Sequence, residues 1–301
     1  MNQAVAGYFE RLNSAAGEAW NRFWFEPTTA ATLGRVRAAV GLLALVGIAS
    51  YGPDLARWFG PEGMLPLSVV REFYPEQWSL LDYFSGGGLW VVYGLGIAAA
   101  AALAAGIGGR WAAGATLVLT LSFSHRASMT TGEFEAVLAF LLAYVRVGRA
   151  GDDFSLASRL GAKPTPSPAA VNTIAVRLIQ VHVAAVHALM AMAMFAAKDG
   201  VWFSGEGLWL AAARPGGALV DLAWLNDHSK PVALASHLVT AYFVALPLLV
   251  WRPLTRPLVL AAATIVWPLL AVTTGSVLFC LAMAAGTLAF VDPAAWTRSR
   301  T

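Results

Sequence analysis

The stretch VNTIAVRLIQVHVAAVHALMAMAMFAAK, residues 171–198, decides the fold. A helix crosses a bilayer with about 20 predominantly apolar residues, and residues 178–197 supply such a run almost without interruption. The run ends on Lys198. A turn rich in glycine and aromatic residues follows, KDGVWFSGEGLW, residues 198–209. Polar side chains are costly in lipid, so the few on this span carry information: Arg177, Gln180, His182 and His187. Gln180 and His187 are seven residues apart and share a helix face. His182 and His187 are five apart and do not form the i,i+4 pair of a helical metal site. His187 is therefore a poor zinc candidate, and its other reading is an interhelical hydrogen bond within the bundle.

The rest of the chain agrees with a membrane solvent. Of 301 residues, 58% are hydrophobic and 12% charged, with a mean hydropathy of +0.63. Soluble domains carry about 25% charged residues. Eight apolar spans are expected, near 33–51, 88–107, 111–125, 133–148, 171–197, 231–251, 257–273 and 275–291. The fold class is all-α: a polytopic helical bundle with about eight transmembrane helices. With the N-terminus inside, fourteen Lys and Arg residues fall on the cytoplasmic side and six on the other. That bias puts both termini in the cytoplasm. The Ala/Arg/Gly-rich composition points to a bacterial chain and hence to the cell inner (cytoplasmic) membrane, with the lipid bilayer as a partner.

The ends and loops add detail. Residues 1–19 read as an interfacial amphipathic segment, with Phe23, Trp24 and Phe25 at headgroup level. Residues 20–293 form the transmembrane domain, and 294–301 a short cytoplasmic tail. Two outer loops, 52–87 with five acids and 198–230, are long and aromatic-rich, and loops of that kind tend to be functional. KPTPSP, residues 163–168, is the best linker.

Several chemistries find no support. The lone Cys280 cannot make an internal disulfide or a multi-cysteine metal site. The net charge of +3 comes without a basic, aromatic-interleaved cluster, so nucleic acid is not a partner. There is no Walker A loop, GxGxxG, HExxH or GxSxG. No metal or nucleotide cofactor is expected. His125 and Arg126 end the third span, Glu133 and Glu135 open the fourth, Lys230 opens the sixth, and His237 lies within it. Glu133 can cap its helix, and Arg126 can snorkel. Lys198 has two readings. It anchors the helix at the interface, or it sits desolvated in an apolar pocket, where a neutral lysine is a competent base.

Several stretches in order resemble the horizontally transferred transmembrane (HTTM) domain family, the membrane domain shared with vitamin K-dependent gamma-carboxylases. They are WNRFWFEPTTAATLGRVRAAVGLLAL (20–45), WFGPEGMLP (58–66), TTGEFEAVLAFLLAYVRVGRAGDDFSLASRL (130–160), AVRLIQVHVAAVHALMAMAMFAAKDGVWFSGEGLW (175–209) and HLVTAYFVALPLLVWRPLTRP (237–257). The resemblance implies a membrane enzyme that binds a quinone in its reduced form. Lys198 would be its general base, and His125 would hold the ring. Trp202, Phe203 and Trp209 would form an aromatic lid, with His187 and Arg126 as further cofactor contacts. The pattern also departs from the family. Ala197 stands where the carboxylases have a second lysine, and Trp267-Pro268 where the family often has a histidine. The large extracytoplasmic domain is missing before the chain ends at Thr301, so a partner protein supplying it is expected. The rival functions are a non-catalytic membrane subunit acting in maturation or export, and a small-solute transporter.

Overall fold

The computed structural model describes residues 2–129, 131–156, 167–214 and 217–292. The tail 294–301 and most of the 163–168 linker lie outside the described residues. The described helices are α1 Asn2–Phe25, α2 Ala31–Ala49, α3 Leu55–Phe59, α4 Leu67–Phe73, α5 Gly87–Ala105, α6 Gly109–Arg126, α7 Glu133–Val147, α8 Ala170–Phe195, α9 Val201–Ser204, α10 Gly207–Ala212, α11 Ser229–Leu249, α12 Arg256–Thr274 and α13 Val277–Thr287. Among the described residues the only β pairing is a single bridge between Thr28 and Ala169.

A helix lies at each of the eight expected positions. Among the described residues, five segments are long and apolar enough to cross a membrane: Ala31–Phe59, Gly87–Ala105, Ala170–Phe195, Ser229–Leu249 and Arg256–Thr274. The other three helices differ for physical reasons. The last turns of α6 carry Ser122, Ser124, His125 and Arg126, all but His125 buried. α7 has 15 residues and packs against α2, α6, α8 and α13. α13 is apolar, but even with its 3-10 extension it reaches only from Val277 to Phe290. Helices that pack one face on other helices can be shorter and more polar than helices facing lipid all round.

α2 and α5 run antiparallel and in close contact, and glycine makes that possible. A Cβ on Gly41 would lie 2.5 Å from the backbone nitrogen of Ala104. Below that contact Arg37 is fully buried, at 0% exposure. Its guanidinium spends its donors on backbone carbonyls. Nη1 bonds Leu103 and also Ala104 at 2.8 Å; Nε bonds Ala150 at 3.2 Å; Nη2 bonds Phe154 at 2.5 Å. Leu103 and Ala104 are at the carbonyl-rich end of α5, where a cation complements the helix dipole. Two unusual backbone positions serve this contact. Gly106 caps α5 at φ 78°, where a Cβ would meet Ser155 at 2.4 Å and the guanidinium carbon at 3.0 Å. Phe154 holds φ 50°, a conformation that costs a bulky residue about 1–2 kcal/mol, and its carbonyl is one of the four acceptors.

The same end of the bundle gathers more polar joints. The Asn172 side chain accepts from Arg149 N at 2.9 Å and donates to Thr28 O at 3.1 Å. Gln180 donates to Ala289 O at 2.7 Å. Arg177 donates to Phe23 O at 3.0 Å and lies 4.3 Å from the Phe23 ring centroid. Phe23 also meets Trp251 at 5.9 Å, so it packs on protein and is not free at headgroup level. α1 runs unbroken through residue 19. Val5, Tyr8, Phe9 and Leu12 lie exposed on it at helical spacing. We call this the arginine end. The opposite, loop end carries 50–86, 127–132 and 196–228.

Replacing Arg37 by Met removes its bonds to four backbone carbonyls, of which Leu103 O keeps Gly106 N at 3.0 Å. Each stranded buried acceptor costs about 1–3 kcal/mol, so Arg37→Met is expected to destabilise by about 3 kcal/mol or more. The check is the thermal unfolding midpoint in detergent, with Arg37→Lys recovering only part of the loss because its ammonium cannot span the same acceptors.

Candidate functional site

Two clusters form at the loop end, and a third polar group lies inside the bundle. The first cluster is built by straps from the 61–85 segment onto the end of α6. Ser79 Oγ donates to Ser122 O at 2.7 Å, and Leu80 N donates to Ser122 Oγ at 3.2 Å. His125 donates from Nδ1 to Trp78 O at 2.7 Å. A carbonyl can only accept, so that bond fixes the proton on Nδ1. Ser128 bonds Gln77. Thus His125 holds a loop in place. Glu135, not Glu133, reaches back at the start of α7, accepting from Gly132 N at 3.0 Å.

Arg126 does not snorkel. It is 2% exposed, donates to Leu65 O at 2.6 Å, and sits 3.8 Å from the Asp82 carboxylate. Arg71 approaches the same carboxylate at 4.0 Å from the surface side. Burial pushes the Asp82 carboxyl above the usual carboxylate range, and the two guanidiniums offset only part of that. The pair faces a cleft of about 290 Å³ walled by Phe59, Pro66, Leu81 and Phe84.

The second cluster follows α8. The turn Lys198–Gly200 places Asp199 at φ 60° and Gly200 at φ 62°, two successive left-handed residues that reverse the chain. Lys198 is exposed and has no hydrogen-bond or ion-pair partner among the described residues. The apolar enclosure that a neutral lysine base needs is not formed around it. Trp202 is half-buried under α10, where a Cβ on Gly207 would lie 2.3 Å from its ring. Phe203 is exposed and stacks on Phe195, centroids 5.4 Å apart. His237 on α11 is exposed beside them. Its Nδ1 meets Ala233 O at 2.5 Å and its Nε2 meets Phe203 O at 3.1 Å. Both partners are acceptors, so a neutral ring can make only one of the two bonds. Phe195, Trp202, Phe203, His237, Val244 and Leu248 line a lateral groove of about 490 Å³. Trp209 lies outside it, in a neighbouring cleft with Glu206 and Lys230.

His187 is fully buried at mid-bundle. Its Nδ1 donates to Val183 O at 2.7 Å, and Nε2 is left to accept from the Tyr242 hydroxyl at 3.3 Å. Rings of Tyr242, Phe243 and Trp267 enclose it at 5.2–5.5 Å. This is the interhelical hydrogen bond between α8 and α11. The six other residues singled out from the sequence therefore divide between the two loop-end clusters, and no recorded contact joins His125 to Lys198. Asp82, Tyr242 and the groove role of His237 were not legible. The signal for Asp82 was a lone acid inside LLDYF, an apolar setting where a charge needs a partner. Among the described residues no three His, Cys, Asp or Glu side chains converge to hold a metal ion. No protein-family model, curated protein or solved structure matches the chain.

The Asp82 carboxyl carries a pH signature of defined sign. Its folded pKa lies above the unfolded value, so the folded state holds the proton more tightly. Stability contributed by protonated Asp82 is therefore lost as pH rises above about 4. The unfolding midpoint of Asp82→Asn, measured relative to the unsubstituted protein, should improve as pH rises through that window; a pH-independent difference would contradict the assignment.

Proposed function

We propose that this chain is an integral membrane binding protein that takes a lipid-soluble molecule with a flat ring head, of the quinone class, into the groove between α8, α9 and α11. The observation that carries this reading is the stacked Phe195–Phe203 pair beside Trp202, with His237 in the groove lining. Aromatic faces accept a planar ring from the bilayer side, and the imidazole nitrogen that carries no proton is the acceptor for a hydroxyl of the reduced ring. Eight helices cross the inner membrane in this reading, with both termini cytoplasmic and the loop end outside. The ordered motifs that resemble the HTTM family support it, and in this reading the chain acts with a partner protein.

The geometry favours a non-catalytic subunit over base chemistry. Lys198 is three residues beyond Phe195 but does not line the groove, and it lies open on the surface. A second reading keeps the enzyme, on one observation: Lys198 is unpaired and rides on the left-handed turn leading into Trp202 and Phe203. In that reading the turn closes over a bound quinol and desolvates the lysine, whose amine then accepts a ring hydroxyl proton.

Mass spectrometry of the lipid extracted from purified protein tests the proposal. A near-stoichiometric quinone is expected, lost in Phe203→Ala and His237→Ala and retained in Lys198→Ala. Only bulk phospholipid in the unsubstituted protein would overturn it. Loss of the quinone in Lys198→Ala as well would move the assignment to the enzyme reading.

A further inference from the structure

The cleft at the end of α6 has no part in the quinone groove and does not depend on it. Asp82 is a carboxylate whose side chain is 9% exposed. Among the described residues no donor makes a hydrogen bond to either oxygen, and Oδ1 is fully enclosed. Its two cations stand off, Arg126 Nε at 3.8 Å and Arg71 Nη2 at 4.0 Å, beyond hydrogen-bond reach. Buried acceptors are nearly always satisfied, so a carboxylate left with ion pairing alone calls for a donor from outside the chain. The local charge is one acid against two guanidiniums, which calls in addition for an anion. Arg126 is held by Leu65 O, whereas Arg71 does not line the cleft but is exposed 4.0 Å from Asp82 and can swing to meet that anion.

Shape and setting identify the class of ligand. The walls Phe59, Pro66, Leu81 and Phe84 are apolar, with Ser68 and Ser85 beside them. At about 290 Å³ the cleft takes a headgroup and not a whole lipid. Exposed Met64, Phe73, Trp78 and Tyr83 lie on the same strapped segment, and aromatic rings of this kind populate the level where bilayer meets water. We propose that this cleft binds the headgroup of a phospholipid that carries both a phosphate and a hydrogen-bond donor, with Asp82 taking the donor and Arg71 and Arg126 facing the phosphate. Ethanolamine and glycerol headgroups meet both demands. Choline offers the phosphate without an N–H or O–H, so Asp82 is the residue that separates the two kinds of lipid.

The test is native mass spectrometry of the full chain in mixed micelles holding equal amounts of phosphatidylethanolamine and phosphatidylcholine. A charge-assisted hydrogen bond corresponds to about a tenfold preference or more, so the unsubstituted protein should retain phosphatidylethanolamine over phosphatidylcholine by about that factor. Asp82→Asn should bring the ratio close to one. Arg71→Gln, at an exposed position that does not endanger folding, should lower retention of both lipids without changing their ratio. Equal retention by the unsubstituted protein overturns the proposal and leaves the cleft to water. So does a ratio unchanged in Asp82→Asn, or a preference that Arg71→Gln abolishes while total retention stays constant. Soluble glycerophosphoethanolamine at the same concentration should not displace the lipid; displacement would make a free phosphodiester the ligand and overturn the membrane assignment.

Discussion

A single buried cation organises the arginine end. Arg37 lies inside the bundle without a carboxylate partner among the described residues and instead satisfies four backbone carbonyls from two separate segments, the end of α5 and the 150–154 turn. A guanidinium suits this task because its donors form a rigid planar fork and it stays charged under all ordinary conditions. The carbonyls in turn are groups that lipid cannot satisfy. Arg37 and the 150–154 turn therefore depend on each other, and the strain at Phe154 is maintained by that mutual need. The close α2–α5 contact at Gly41 follows from the same geometry.

With one end fixed, the other end of α2 is placed as well. Tyr51, just past α2, stacks on Phe123 of α6 at 5.3 Å, and Phe59 of α3 completes the cluster. That aromatic joint turns the chain across the bundle and delivers the 61–85 segment to the end of α6, where Ser79, Trp78, Leu65 and Asp82 are received in turn. The second cluster follows separately from α8 and α11. His187 and Tyr242 bond the two helices at mid-depth, and His237 joins the Phe203 carbonyl near their loop end. One loop-end cluster is thus charged and cleft-like, the other aromatic and open to the side.

The legibility of these features follows from their range. Apolar runs are local, and the eight helical positions could be read from them. Which of the eight can cross a membrane unaided was less legible, because α6 ends on a polar turn bonded to the 61–85 segment and α7 has only 15 residues. The face shared by Gln180 and His187 was legible from spacing, and both are buried there, bonded to the segment after α13 and to α11 respectively. The exposure of Lys198 was not, since burial at a helix tip depends on where a distant loop folds. The same holds for Arg126. A terminal arginine reads as snorkelling until Asp82, forty-four residues earlier in the chain, is found beside it.

The central claim is that both clusters lie on one membrane face, opposite Arg37, in a chain that crosses the bilayer repeatedly. Single cysteines placed in a Cys280→Ala background test it directly, because the natural thiol is buried and its removal leaves no competing label. Met129→Cys and Ser204→Cys mark the loop end; Ile107→Cys and Leu254→Cys mark the arginine end, all at exposed positions. With a membrane-impermeant maleimide on intact cells, positions 129 and 204 should label together, and 107 and 254 only after permeabilisation. Labelling of 129 and 204 from opposite sides would contradict the account.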